Sequence, residues 1–161
     1  MPHSKSPTSI DMAMIISPST SRIQVARKTF TFTGASGFGL AAADCVLFTV
    51  TGDVYIHAII PKCTTLLTES GATATLSLGT ATQVARFVAA TNAVEIDADE
   101  LWFSTTPTAG SLDLPDAMQS VVIASGDDIV ARPAVTNVTG GVIEFTCLWE
   151  AVSTDGTLVA A

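Results

Sequence analysis

The sequence predicts an all-β fold: a single β-sandwich, jelly-roll-like or barrel domain with an extended N-terminal arm. Short runs rich in β-branched and aromatic residues recur along the chain, Gly, Pro, Asn and Asp separate them, and helical periodicity of 3.6 is almost absent. The 161 residues suit one domain able to bury roughly 70% of the surface of its unfolded chain, without a disulfide or metal. There is no fixed-period repeat of the kind that builds solenoids or propellers.

Residues 1–21 are rich in Ser and Thr, and Pro2, Pro7 and Pro18 deny them a regular helix or central strand, so they are assigned to an arm and residues 22–161 to the β domain. From Arg22 the pattern changes. Ile23 and Val25 alternate with polar neighbours, then Phe30 and Phe32 alternate with threonines, which predicts a strand with one buried face. The glycine-rich stretch 34–39 is expected to be a mobile loop. Runs 45–51 and 54–60, joined by Gly52-Asp53, predict a hairpin. The second run is apolar on both faces, Val54, Ile56, Ala58 and Ile60 against Tyr55, His57 and Ile59, as a central strand is. Further β-rich runs lie at 73–78, 83–88, 101–104, 119–125, 129–131 and 142–149, with Gly126-Asp127 and Gly140-Gly141 read as turns. A short helix is allowed over 93–101.

Hydrophobic residues make up 48% and charged residues only 14%, against about 25% charged in a typical domain, so the surface must be poor in charge. Threonine keeps such a surface soluble while suiting a pleated sheet. Mean hydropathy is +0.49, yet the apolar runs fall far short of the ~20 residues of a helical membrane span. An apolar, weakly charged chain of this kind is expected to hide surface against other subunits. Run 12–16 is too short for a secretory core and lacks a basic leader, so no signal peptide is expected. Cys45, Cys63 and Cys147 form no C-x-x-C pair and are expected to be buried free thiols. Residues 1–28 carry Lys5, Arg22, Arg27 and Lys28 against Asp11, a net of +3, while the remainder carries −11 of the overall −8. That asymmetry suggests an arm reaching onto an acidic surface of a neighbouring copy, with Lys5, Arg22, Arg27 and Lys28 at the interface, or else a solvated tail.

Catalytic patterns are each missing a member. The stretch 34–39 lacks the frame of a nucleophile elbow around Ser36 and the third glycine of a dinucleotide loop. His3 falls in the arm, which leaves His57 as a lone strand histidine, more simply a packed residue than a base. Glu95, Asp97, Asp99 and Glu100 have the oxygens a hard cation needs but no EF-hand glycine or distal glutamate, so a solvated turn or helix start is the simpler assignment. Asp127-Asp128, and Asp113 with Asp116, are accounted for by turn chemistry as well as by a glycosidase pair. Asn137-Val-Thr139 matches a glycosylation acceptor but has no secretory context and reads as strand and turn residues. An acidic body disfavours nucleic acid. Trp102 and Trp149 are expected to be core or subunit-interface anchors. No cofactor, metal site or enzymatic activity is expected.

The Ser/Thr/Pro arm, the Thr/Ala/Val/Gly-rich body and the closing stretch Gly140-Gly-Val-Ile-Glu-Phe-Thr-Cys-Leu-Trp149, followed by Ser153-Thr-Asp-Gly156 and Leu158-Val159, resemble small virion proteins of tailed bacteriophages. Within that class the size is similar to capsid decoration, or cement, proteins. The resemblance implies a homotrimer that binds the major capsid protein shell and stabilises it, located in the virion, with neither nucleic acid nor membrane as partner. Two other readings share the composition: a phage tail, head-fibre or connector component, and a carbohydrate-binding or hydrolytic β-sandwich, which needs an exposed aromatic or a carboxylate pair along a groove.

Overall fold

A computed structural model describes residues 22–71 and 73–161. The arm 1–21, including Lys5 and His3, lies outside the described residues. Within them the chain forms two antiparallel sheets. The strands are β1 (Gln24–Thr31), β2 (Cys45–Thr51), β3 (Val54–Glu69), β4 (Thr75–Thr80), β5 (Val88–Asn92), β6 (Gln119–Ile123), β7 (Ile129–Ala134), β8 (Val138–Ala151) and β9 (Thr157–Ala160). One sheet has the order β1-β8-β3-β6 and the other β5-β4-β7-β2-β9. Their inner faces share one core. Phe30, Phe32, Ile56, Ile59, Ile143, Phe145 and Trp149 come from the first sheet or its margin, and Leu47, Phe48, Leu76, Leu78, Ile129 and Leu158 come from the second. The all-β, sandwich-like class predicted from the sequence is what forms.

Several local expectations fail for identifiable reasons. β2 and β3 are not a hairpin. β2 is flanked by β7 and β9, and β3 by β8 and β6, so neither has a free side for the other. The Gly52-Asp53 link instead carries the chain from one sheet to the other. Gly52 sits at φ +61, where a Cβ would come within 2.5 Å of Ser153 Oγ, and Asp53 N–H donates to that hydroxyl at 2.8 Å. β3 is a central strand, but the pairing shifts register between Ile56 and Ala58. Beyond that bulge at His57 the faces exchange, so Ile59 is buried and Ile60 only partly so. In β1 Phe30 and Phe32 are buried while Ile23 and Val25 are exposed, because the apolar positions change parity along the strand.

Gly140 and Gly141 are not a turn: they lie inside β8. Gly141 has φ +103, and a Cβ there would meet Leu66 O at 2.6 Å and Leu67 Cα at 2.7 Å, so the pair permits a close approach of β3 and β8 through a stretch of irregular register. Run 83–88 is mostly turn, and the strand begins only at Val88. No helix forms over 93–101, where Ala93–Glu95 is a single 3-10 turn. Run 101–104 is not a strand either. Leu101 makes isolated bridges to Lys62 and Thr108, and Trp102 N–H donates to Pro61 O at 3.0 Å. β6 pairs with β3 only as far as Ala58, and segment 99–102 then covers the side of β3 that β6 leaves open.

Apart from the long β5–β6 connection, residues 93–118, the strand-to-strand links gather at two ends. Links β2–β3, β4–β5, β6–β7 and β8–β9 lie at the end holding Asp53, Asp127, Asp128 and Asp155. Links β1–β2, β3–β4 and β7–β8 lie at the opposite end.

Candidate interaction surfaces

The second of these ends carries an apolar patch. Between β1 and β2, Ala35 forms bridges to Phe38 and Gly39, closing a tight loop in which Gly34, Gly37 and Gly39 all have positive φ. At Gly39 only glycine fits, since a Cβ would lie 2.1 Å from Val138 O. The stretch 34–39 is therefore a hydrogen-bonded platform packed on β8, where a mobile loop was expected. Three bonds tie residues 39–42 to the β7–β8 turn and its flanks: Val138 N–H to Gly39 O at 2.9 Å, Ala41 N–H to Asn137 Oδ1 at 3.0 Å, and Ala42 N–H to Pro133 O at 2.8 Å. The Asn137 side chain thus has a structural task here.

These ties hold Phe38 and Leu40 beside the turn that carries Val135. Phe38 stacks on the buried Phe30 ring at 5.7 Å yet remains 52% exposed. Val135 is 72% exposed and adopts φ +70, which a β-branched side chain rarely tolerates. Strain of this kind persists where the surroundings enforce it, and it is common at functional positions. Beside the patch Arg132 donates from Nε and Nη2 to Asp44 at 2.6 and 2.8 Å. Hydrogen bonding to that carboxylate raises the guanidinium pKa, and the fork fixes the loop against β7.

The β1 edge is the second surface. Arg27 is exposed on its outer face, while Lys28 is half-buried and its Nζ donates to Ala161 O, bridging the two sheets. Arg22 is exposed just before the strand. Arg27 and Lys28 thus belong to the β body, and residues 1–21 retain Lys5 against Asp11, with no net charge.

The remaining candidates are not brought together into a reaction centre. His57 lies at the β3 bulge with its ring edge-on to Tyr55 and Nε2 3.5 Å from Glu150 Oε1. Asp127 accepts from Thr82 N–H and Oγ1, both at 2.9 Å, and Asp128 accepts from Val50 N–H at 2.8 Å, so adjacent carboxylates serve different turns. Asp113 and Asp116 are exposed along 93–118. In the acidic cluster Glu100 Oε2 accepts from Asp97 N–H at 3.0 Å, Asp99 lies 3.7 Å from Lys62, and Glu95 is exposed. Among the described residues no group of His, Cys, Asp or Glu is placed to hold a metal ion. No described helix is long and apolar enough to cross a membrane.

Trp102 and Trp149 are buried in the chain's own core, and Trp102 Nε1 donates to Thr91 Oγ1 at 2.9 Å. Neither can present a ring to a sugar from the surface. Cys45, Cys63 and Cys147 are buried and unbridged. Phe38 had a signal in the sequence, an aromatic among glycines where a flexible loop has no use for one. Val135 had none, because its exposure follows from the turn geometry.

No family model matches the chain, and no curated protein matches it. Among solved structures, the chain is similar to one in the cyanophage Pam1 capsid asymmetric unit. The TM-score is 0.54 at 17% identity, over 94% of this chain and 99% of that one. At this identity the likeness is one of fold, and it takes in nearly the whole of both chains.

Proposed function

We propose that this chain is a non-enzymatic virion structural protein, a decoration protein that assembles as a homotrimer on a phage capsid shell, contacts the major capsid protein and stabilises the particle. The observation that carries this reading is the end-to-end likeness to a chain of a cyanophage capsid asymmetric unit. The patch of Phe38, Leu40 and Val135 supplies a surface suited to the task. It is apolar, held by a hydrogen-bonded glycine loop, and flanked by the Asp44–Arg132 fork. A few well-packed anchors carry most of the energy of an interface, and a preorganised support lowers the ordering cost of burying them.

An image of the intact particle tests the assignment: trimeric density on the outer shell is the expected result, and density confined to the tail or connector overturns it. Light scattering of the purified chain is expected to give the mass of a trimer. The double substitution Phe38→Ser, Val135→Ser should weaken attachment to shells at least about tenfold, since truncating interface anchors costs on the order of 2 kcal/mol or more. Val135→Ser alone should leave the unfolding transition close to wild type, as that side chain is 72% exposed, and it separates lost attachment from the lost stacking of Phe38 on Phe30.

A further inference from the structure

We propose that the open edge of β1 is a strand-docking site whose occupant is residues 10–16 of a neighbouring copy of this chain. β1 is an edge strand of eight residues, paired with β8 in unbroken register from Gln24↔Trp149 to Thr31↔Val142. Phe32 N–H donates to Gly141 O at 3.0 Å, so with antiparallel alternation the even-numbered residues of the strand bond to β8. The N–H and C=O groups of Val25, Arg27, Thr29 and Thr31 then point to the open side. No described residue takes them up. An edge of this length without a bulge is a template for another strand. The side chains next to those groups are uncharged apart from Arg27, and Ile23 and Val25 leave apolar area exposed on the outer face.

The sequence contains a matching segment outside the described residues. In Ile10-Asp-Met-Ala-Met-Ile-Ile16, Ile10, Met12, Met14 and Ile16 occupy one parity, the alternation of a strand with an apolar face. Its connection to β1, Ser17-Pro-Ser-Thr-Ser-Arg-Ile23, has no Gly, Asn or Asp to supply a left-handed reversal. Pro18 also biases Ser17 toward extended backbone. Eight residue steps extend to roughly 26 Å, enough to reach an adjoining subunit. Exchange around a closed ring would satisfy every copy's edge with one repeated contact. Docking of this kind does not depend on whether the assembly sits on a capsid.

Amide hydrogen exchange on the full-length chain tests it. The amides of Val25, Arg27, Thr29 and Thr31 should exchange at least about tenfold more slowly at high than at low protein concentration, because docking from a neighbour depends on concentration while local openings do not. In the full-length variant Met12→Asp, Met14→Asp that protection should vanish, with the amides of β3 and β8 unchanged. Thr29→Pro, which removes one outward donor and leaves the β8 ladder intact, should abolish it as well. Fast exchange of the four amides at every concentration overturns the site. Slow exchange independent of concentration, lost in the Met12→Asp, Met14→Asp variant, in a chain that light scattering shows to be monomeric at the same concentrations, overturns the neighbour as occupant in favour of the chain's own segment.

Discussion

Replacing Trp102 with alanine is expected to lower the free energy of unfolding by about 3–5 kcal/mol, the range for removing a fully buried tryptophan. The side chain has no exposed surface. It is also the principal anchor of a long irregular connection, residues 93–118, which has no ladder of its own. Cys63 N–H donates to Glu100 O at 2.8 Å and Trp102 N–H to Pro61 O at 3.0 Å, so the stretch around Trp102 is tied to β3 by backbone bonds. Removing the indole detaches that cover and opens the second side of β3 to water. Thr91→Val separates the polar part of the effect: it keeps the volume near Trp102 but leaves the indole N–H without its 2.9 Å partner, at a cost of about 1–3 kcal/mol. Urea denaturation of both variants measures the two losses. A Trp102→Ala loss under about 1 kcal/mol would mean that the connection does not rely on this anchor.

The dependence on Trp102 also shows where reading from sequence reaches its limit. Alternation is a local signal, and it located β2 to the residue and β6 closely, but it found only the first half of β7 and the later part of β8, where Gly140-Gly141 reads as a turn. It could not say which runs pair. Gly52-Asp53 has the composition of a hairpin turn, yet the partners of β2 and β3 are chosen by contacts far away in sequence, and the link became a crossing between sheets. β5, Val88–Asn92, was missed because Ala89, Ala90 and Asn92 have little strand character and the strand exists through its pairing with β4.

The candidate surfaces were legible in part. The charge asymmetry drew attention to Arg27 and Lys28 but attributed them to an arm, when they lie in the first strand. The glycines at 34–39 are read from sequence as flexibility. Their positive φ values and the close approach of Gly39 to Val138 O let the loop pack closely on β8. Composition cannot separate these uses, because a glycine that frees the backbone and one that admits a neighbouring carbonyl are the same residue.

The buried thiols predict a steep loss of stability in alkali. Burial pushes the Cys45 and Cys63 pKa values up to about 11 and that of Cys147 up to about 12, from an ordinary value of 9.0. In each case desolvation of the thiolate is the main cause. The folded chain therefore keeps its protons in a range where the unfolded chain releases them. Their contribution is fully present below pH 9, declines as the unfolded thiols ionise, and stops declining once the folded thiols titrate near pH 11–12. Within that window Cys147, the most deeply desolvated of the three, lowers the unfolding free energy by up to about 1.4 kcal/mol per pH unit, and Cys45 and Cys63 act in the same direction. Urea midpoints at pH 8, 9, 10 and 10.5 should show this fall, and Cys147→Ala should make it shallower at the cost of a lower starting stability. Lys, Tyr and Arg titrations are common to both proteins, so the difference in slope isolates the thiol. Equal slopes for wild type and Cys147→Ala would show that the Cys147 site admits water well enough to solvate a thiolate, against the burial of its side chain between the sheets.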